Sequence, residues 1–156
     1  MAVEAKYDTS VIGVEEEVGS FDITAEQIAA YCAAVGETNP LYTDEAAAKA
    51  GPYGGIIAPP GIVHSVSIGN GPDAKIKFGN TGFHAGEKME VIAPMFPGDR
   101  ITATIHVKEL YEKTGRTGGM LFEVRRTIYS NQRGEPVVAC EKSFVRREVV
   151  PGGSDD

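Results

Sequence analysis

Residues 99–113, DRITATIHVKELYEK, alternate between apolar and polar side chains over much of their length. The apolar members are Ile101, Ala103, Ile105 and Val107, and the polar ones between them are Thr102, Thr104, His106 and Lys108. Because successive side chains of a β-strand point to opposite faces, this period of two predicts a strand with one packed face and one solvated face. Such a strand is typical of an antiparallel sheet.

Three neighbouring segments have the same strand character and are separated by short turn sequences. They are residues 76–94, 119–132 and 135–148, with turns at 97–99, 114–119 and 131–134. Turns this short join antiparallel neighbours, since parallel strands need a crossover of about a dozen residues or more. A fifth strand is predicted at 14–23, where Val, Phe and Ile flank three consecutive Glu. The chain therefore holds an antiparallel sheet.

A helix is predicted at 25–35, between the first strand and the others. Thr24 and Gln27 have the spacing of a capping box, in which each side chain bonds the other residue's backbone N–H. Apolar side chains recur at positions i, i+3, i+4 and i+7, which makes one buried stripe. They are Ile28, Tyr31, Cys32 and Val35. Gly36 is a natural C-terminal stop for this helix.

Two shorter helical segments follow. Asn39-Pro40 turns the backbone, and Asp44 caps a short Ala-rich helix at 45–50. A proline-rich approach then leads into the apolar GIVHSVSI, and proline in a first turn predicts a buried helix beginning near Pro60. A strand, then helices, then strands alone predict an α+β fold, with an antiparallel sheet wrapped around a central helix.

Length and composition restrict the class of protein. At about 100–200 residues per domain, a chain of 156 residues makes one domain. A content of 42% hydrophobic and 24% charged residues excludes a disordered or fibrous chain. A net charge of −7 without a basic block argues against binding of nucleic acid or an anionic membrane. We expect a flexible N-terminus at 1–11, a single domain at 12–148 and a disordered tail at 149–156.

No cofactor is predicted, and no metal. Cys32 and Cys140 lie far apart in sequence, and neither has the spacing of a CxxC or Cys/His metal site. The Gly-rich stretches match neither a phosphate loop nor a dinucleotide fingerprint. No apolar run approaches the ~20 residues of a membrane span, and the first ten residues do not look like an export signal. We therefore expect a cytoplasmic protein with reduced thiols.

Four side chains are candidates for chemistry. Glu37 follows a helix C-terminus, where the dipole disfavours an anion; it is either a perturbed acid or a solvated loop carboxylate. Tyr42 either folds back toward Glu37 or packs in the core. His84 lies between two glycines, which let a substrate approach the backbone. A structural role and a functional role for this side chain are equally compatible with the sequence. His64 is either a hydrogen-bonded core imidazole or a base.

The stretch YCAAVGETNPLYTDEAAAKA, residues 31–50, resembles the hydratase motif of the MaoC-like, (R)-specific enoyl-CoA hydratases. That motif runs approximately Gly-Asp-x-Asn-Pro-Leu-His and precedes a short helix. The matching positions here are Gly36, Asn39, Pro40, Leu41 and Asp44. Downstream, residues 56–63 and 83–139 look like the branch called the MaoC N-terminal, or FAS1-like, dehydratase domain. The resemblance covers residues 12–147.

This resemblance implies a hotdog fold, in which an antiparallel sheet wraps a central helix and two chains pair around a thioester tunnel. The family adds water to the trans-2-enoyl thioester of coenzyme A or acyl carrier protein, or removes it from the (R)-3-hydroxyacyl form, without a metal. A motif Asp and a motif His perform the acid–base work. A backbone N–H at the start of the central helix polarises the thioester carbonyl.

The sequence departs from that motif at its chemical positions. The motif Asp is Glu37, a longer carboxylate, and the motif His is Tyr42, a phenol whose ordinary pKa of about 10 makes it a poor base. Prolines replace the His-Gly pair before the central helix, so that Gly61 is the residue able to donate an N–H. We assign substrate binding to Asn39, Pro60, Gly61 and His64, and the degenerate catalytic positions to Glu37, Tyr42 and His84.

Three functions are compatible with these residues. The first is a subunit of an (R)-specific hydratase/dehydratase that binds the acyl thioester and needs a catalytic MaoC-like partner, because degenerate chains of this branch often pair with one that keeps Asp and His. The second is a self-sufficient acyl-CoA hydratase using Glu37 with His84 or Tyr42. The third is a non-catalytic acyl-CoA-binding protein. Since a lone hotdog chain leaves a sheet edge exposed, we expect a homodimer or a heterodimer.

Overall fold

The computed structural model describes residues 4–116 and 118–149. Its sheet contains five strands, which are β1 (Glu16–Asp22), β2 (Thr81–Val91), β3 (Arg100–Gly115), β4 (Gly118–Ser130) and β5 (Pro136–Arg147). Every pairing between these five strands is antiparallel, and the order across the sheet is β1-β3-β4-β5-β2. β3, β4 and β5 therefore lie side by side in sequence order, and β2 pairs with β5 at the far edge. β1 and β2 are the two edge strands.

Three α-helices lie between β1 and β2. They are α1 (Ala25–Val35), α2 (Pro40–Thr43) and α3 (Glu45–Ala50). The predicted capping box is present, because the Gln27 N–H donates to the Thr24 hydroxyl at 3.1 Å and the Thr24 N–H donates to the Gln27 side chain at 3.0 Å. Gly36 ends α1 in the left-handed conformation, with φ 70°. The predicted bounds of α1 are therefore confirmed.

The core lies between one face of the sheet and the helical half of the chain. α1 contributes Ile28 and Cys32, which are 1% and 4% exposed. The sheet residues packed in the same cluster are Ile101, Ala103, Tyr129, Val137, Val138 and Cys140. On β3 the four apolar residues of the alternating stretch are buried, as its period of two predicted. The α+β architecture with an antiparallel sheet is confirmed.

The segment expected to form a buried helix near Pro60 is shorter than predicted. It is a 3-10 helix, Pro60–Ser65, after which Val66 returns to an extended conformation. The Ser65 hydroxyl donates to the Ile62 carbonyl at 2.7 Å, a local side-chain bond that competes with continued helix. The 3-10 helix still reaches the core, since Ile62 and Val63 are buried in the main cluster.

The chain termini bear on the predicted domain limits. Residues 1–3 and 150–156 lie outside the described residues, so the expected flexible start and disordered tail remain predictions there. Within the described part, the Asp8 N–H donates to the Ala74 carbonyl at 2.7 Å, and residues 9–11 form a 3-10 turn. None of the helices in the described ranges is long and apolar enough to span a membrane.

Candidate functional site

Glu37 lies in the turn that ends α1. Its N–H donates to the Cys32 carbonyl at 2.9 Å, which closes the helix. Its carboxylate oxygen Oε1 then accepts two backbone N–H bonds, from Thr38 at 2.9 Å and from Asn39 at 2.8 Å. These donors hold the side chain against its own turn and offset the unfavourable end of the helix dipole.

Asn39-Pro40 builds the next turn and thereby sets the position of Tyr42. The Asn39 side-chain oxygen accepts from the Leu41 N–H at 3.0 Å, and its carbonyl accepts from the Thr43 hydroxyl at 3.0 Å. Pro40 occupies the first turn of α2, where its missing N–H costs no hydrogen bond. The Asn39 amide oxygen is thus used as a helix cap, and its assignment to substrate binding stays a prediction.

Glu37 and Tyr42 line one cavity, as the motif predicted they should. The cavity has a volume of about 900 Å³, within the range common for small-ligand sites. Apolar side chains of α1, of the loop after α3 and of the loop before β3 line much of the rest, among them Ile28, Ile56 and Phe96. A cavity with apolar walls that also carries the carboxylates of Glu37 and Glu45 suits a chain-like ligand with a polar head.

The phenol of Tyr42 and the thiol of Cys32 are poor bases at neutral pH. Burial, and then the charge of Glu37, raise the pKa of the Tyr42 phenol above its ordinary value. The same two causes raise the pKa of the Cys32 thiol, whose residue also lines the cavity. Of the described histidines, none is among the lining residues. The cavity therefore holds the carboxylates of Glu37 and Glu45 and the amine of Lys49 beside a phenol and a thiol that stay protonated.

His84 lies elsewhere, at the start of β2. It lines a second cavity of about 1040 Å³ on the inner face of the sheet, and its ring packs edge-on against Phe144 with centroids 5.6 Å apart. Arg125 and Arg146 reach the same cavity. The structure therefore brings Glu37 and Tyr42 together, while His84 lines a different cavity of the same chain.

Pro60 and Gly61 begin the 3-10 helix that packs beside α1. The Ile62 N–H is used, since it donates to the Pro59 carbonyl at 3.0 Å. Prolines have no N–H, so Gly61 carries the first backbone donor of this helix. First-turn donors lack intrahelical acceptors. Neither Pro60 nor Gly61 lines either cavity, and the role of Gly61 in polarising a carbonyl stays a prediction.

Gly61 is also a point of close packing, which gives a stability prediction. A Cβ at Gly61 would collide with the Tyr31 hydroxyl. We expect Gly61→Ala to lower the free energy of unfolding by about 1–3 kcal/mol, as overpacking does. Tyr31→Phe in the same background should recover much of the loss, because it removes the colliding atom.

Urea unfolding of the single and double variants measures this coupling. Gly55→Ala is the matched control, since its Cβ would have nothing within 4 Å. Equal stability of Gly61→Ala and Gly55→Ala would contradict the account.

His64 lies in neither cavity. Its Nε2 is 3.0 Å from Glu87 Oε1 on β2, and the two side chains are 34% and 28% exposed. Glu87 had no sequence signal of its own, because it is one of several charged residues on an edge strand. Cys32, which lines the first cavity, was predicted from sequence to be a reduced thiol in the apolar stripe of α1 and was not assigned to a site.

Comparisons with known proteins agree with this geometry. A family model described as FAS1-like, dehydratase domain region, matches residues 10–140. A UPF0336 protein from Streptomyces avermitilis is 28% identical over 138 residues, covering 85% of this chain and 89% of the relative.

Two solved structures show how the fold is shared. The MaoC-like dehydratase from Rhodospirillum rubrum superposes with a TM-score of 0.66 at 23% identity, covering 89% of this chain and 94% of that chain. The C-terminally truncated HadBC (3R-hydroxyacyl-ACP dehydratase) complex from Mycobacterium tuberculosis gives a TM-score of 0.66 at 19% identity, covering 88% and 98%. The chain therefore belongs to the FAS1-like dehydratase domain family, and it shares the hotdog fold of the MaoC-like dehydratase.

Proposed function

We propose that this chain is one subunit of an (R)-specific 2-enoyl-thioester hydratase, or in reverse a 3-hydroxyacyl-thioester dehydratase, whose catalytic Asp and His lie on a partner chain. The supporting observation is the first cavity, where Glu37 and Tyr42 replace the acid–base pair of the family motif. The raised pKa of Tyr42 keeps its phenol protonated at neutral pH. Hydration needs a group that accepts a proton from water, and a protonated phenol does not accept one.

The division of labour follows from the chemistry of the reaction. In hydration, the water oxygen bonds to C3 of the enoyl thioester, a proton goes to C2, and negative charge passes through the thioester oxygen. We assign binding of the acyl part to the apolar walls of the first cavity. Gly61 supplies an N–H for the carbonyl. The partner's carboxylate and imidazole would remove the proton from water and deliver one to C2.

The docking edge for that partner is β2. It is an eleven-residue strand, and within residues 4–116 and 118–149 no strand pairs with its outer edge. Three large apolar side chains on it or just after it are exposed, namely Phe83, Val91 and Ile92 at 50%, 58% and 47%. An exposed edge of this length is a template for pairing with another chain.

The opposite edge, β1, is less suited to pairing. It is seven residues long and begins within a run of three glutamates at 15–17. The Val18 carbonyl on it already accepts from the Gly69 N–H at 2.8 Å. Charged side chains on an edge strand, or a loop that covers it, commonly prevent the strand from pairing with another chain. The structurally similar HadBC protein is itself a complex named as a dehydratase, which supports a two-chain enzyme.

Glu37 separates this proposal from a self-sufficient hydratase, which the carboxylate in the cavity also permits. With the catalytic pair on a partner, we expect Glu37→Gln to change turnover of the complex by less than about tenfold. A general base would cost about 10²–10⁴-fold. Glu45→Gln, at another wall of the same cavity, is the matched control. Loss of turnover on that larger scale in Glu37→Gln alone would assign the catalytic base to this chain.

A further inference from the structure

A cluster of three metal-ligand types lies outside both cavities. It consists of His64, Glu87 and Cys140, which we call the HEC cluster. His64 Nε2 is 3.0 Å from Glu87 Oε1, and the nitrogen, carboxylate and sulfur atoms of the three residues lie within 4.8 Å of one another. The first cavity, with Glu37 and Tyr42, does not include any of these residues.

Three separate elements converge to make the HEC cluster. His64 is in the last turn of the 3-10 helix Pro60–Ser65, Glu87 is on β2, and Cys140 is on β5. Cys140 pairs across the sheet with Met89, two residues beyond Glu87, so the carboxylate and the thiol lie on the same face of adjacent strands. The ligands are 23 and 53 residues apart in sequence. That spacing explains why no metal motif was visible in the sequence.

The chemistry of the three ligands suits a borderline-soft divalent cation. Imidazole nitrogen, carboxylate oxygen and thiolate sulfur are the ligand set of zinc, and three protein ligands leave the open position of non-structural zinc sites. At metal–ligand distances of about 2.0–2.3 Å, tetrahedral ligand atoms lie about 3.3–3.8 Å apart. The HEC atoms approach that spacing, and the partly exposed His64 and Glu87 have room to adjust.

The surroundings of the sulfur add to this case. Cys140 is 1% exposed and belongs to the main core cluster, while His64 and Glu87 leave an entry path on the solvent side. A carboxylate beside a buried sulfur repels a thiolate, and a bound cation would turn that repulsion into attraction. Glu87 and the thiolate would together neutralise a divalent charge.

We propose that His64, Glu87 and Cys140 form a zinc-binding site at the inner face of β2 and β5. The site does not rest on the acyl-thioester function, because none of its ligands comes from the first cavity. It would link the 3-10 helix that carries Gly61 to the edge strand β2.

Cobalt(II) titration of the purified, tag-free and chelator-treated chain tests the proposal. A cobalt–thiolate bond gives a charge-transfer absorption that a nitrogen- and oxygen-only site lacks. We expect this band to saturate at a single equivalent per chain and to disappear when zinc is added. Cys140→Ser should abolish the band, and Cys32→Ser should keep it, since Cys32 is equally a buried thiol but lies on the first cavity.

His64→Gln and Glu87→Gln provide a second line of evidence that does not alter the core. Each should weaken cobalt binding by at least the 10–100-fold that loss of an outer-shell partner costs. If Cys140→Ser loses its far-ultraviolet circular dichroism, these two variants decide the outcome. The proposal is overturned if the wild-type chain shows no thiolate band, or if Cys32→Ser and Cys140→Ser reduce it equally.

Discussion

Gly79→Ala is expected to lower the free energy of unfolding by about 2–5 kcal/mol. Gly79 has φ +69°, a conformation that costs a side-chain-bearing residue about 1–2 kcal/mol. Its new Cβ would also lie 2.6 Å from the Arg147 carbonyl carbon and 3.0 Å from the Arg147 nitrogen. Backbone atoms at the end of a paired strand cannot move aside, so an overpacking loss of about 1–3 kcal/mol adds to the strain.

The close contact between Gly79 and Arg147 holds the start of β2 against the end of β5. Next to it, the Asn80 N–H donates to the Arg147 carbonyl at 3.1 Å. The Asn80 side chain also donates to the Val149 carbonyl at 2.9 Å and accepts from the Val149 N–H at 2.8 Å. This clamp sets the position of the edge strand on which we place the partner.

Gly54→Ala is the control that separates strain from contact. Gly54 has φ +70°, and a Cβ there would have nothing within 4 Å. Gly54→Ala should therefore lower the free energy of unfolding only by the backbone strain of about 1–2 kcal/mol. Urea unfolding of both variants measures the difference between their free energies of unfolding, provided that the m-values of the two curves agree. If Gly79→Ala were no less stable than Gly54→Ala, the close contact with Arg147 would be wrong.

The local parts of the fold were predictable from sequence because short-range chemistry determines them. The capping box of Thr24 and Gln27 and the stop at Gly36 fixed the bounds of α1 to the residue. The alternation at 101–107 identified which side chains of β3 are buried. In each case the signal lies within a few residues of the structure that it specifies.

The central segment was harder to predict because two local signals compete. Pro60 starts a helix, but Ser65 bonds back to the Ile62 carbonyl, and the extended chain resumes at Val66. Both signals are visible in the sequence, but the sequence does not show which of them is the stronger. The outcome is a single short 3-10 helix in place of a longer one.

The candidate site was predictable only where its residues are close in sequence. Glu37 and Tyr42 share one turn and do line one cavity. His84 comes from another element, and sheet order places it on a different cavity. The HEC cluster depends on the pairing of β2 with β5, a long-range register that no local pattern reveals.

The chain alone is expected to hydrate trans-2-enoyl-CoA about 10²–10⁴-fold more slowly than its complex with a MaoC-like chain that keeps the motif Asp and His. That factor is what a positioned general acid–base group contributes. The physical reason is the first cavity, in which the Tyr42 pKa is raised and Glu37 Oε1 accepts two backbone N–H groups of its own turn. Neither group replaces an imidazole that titrates near neutral pH.

A matched variant tests whether the complex works through the β2 edge. Phe83→Glu places a charge on the exposed part of that edge, and it should block assembly and return turnover to the level of the lone chain. Glu15→Gln, on the segment before β1, should leave the complex intact. Size-exclusion chromatography of each mixture distinguishes loss of assembly from loss of chemistry.

The most direct measurement is the loss of enoyl-thioester ultraviolet absorbance with a short and a long trans-2-enoyl-CoA, recorded for the purified chain and for the chain mixed with such a partner. Our account predicts background rates for the chain alone, binding of acyl-CoA by the folded protein, and turnover by the mixture. Binding without turnover in any mixture would indicate a non-catalytic acyl-CoA-binding protein. Turnover by the lone chain at the rate of the mixture would contradict the claim that its catalytic pair lies on another subunit.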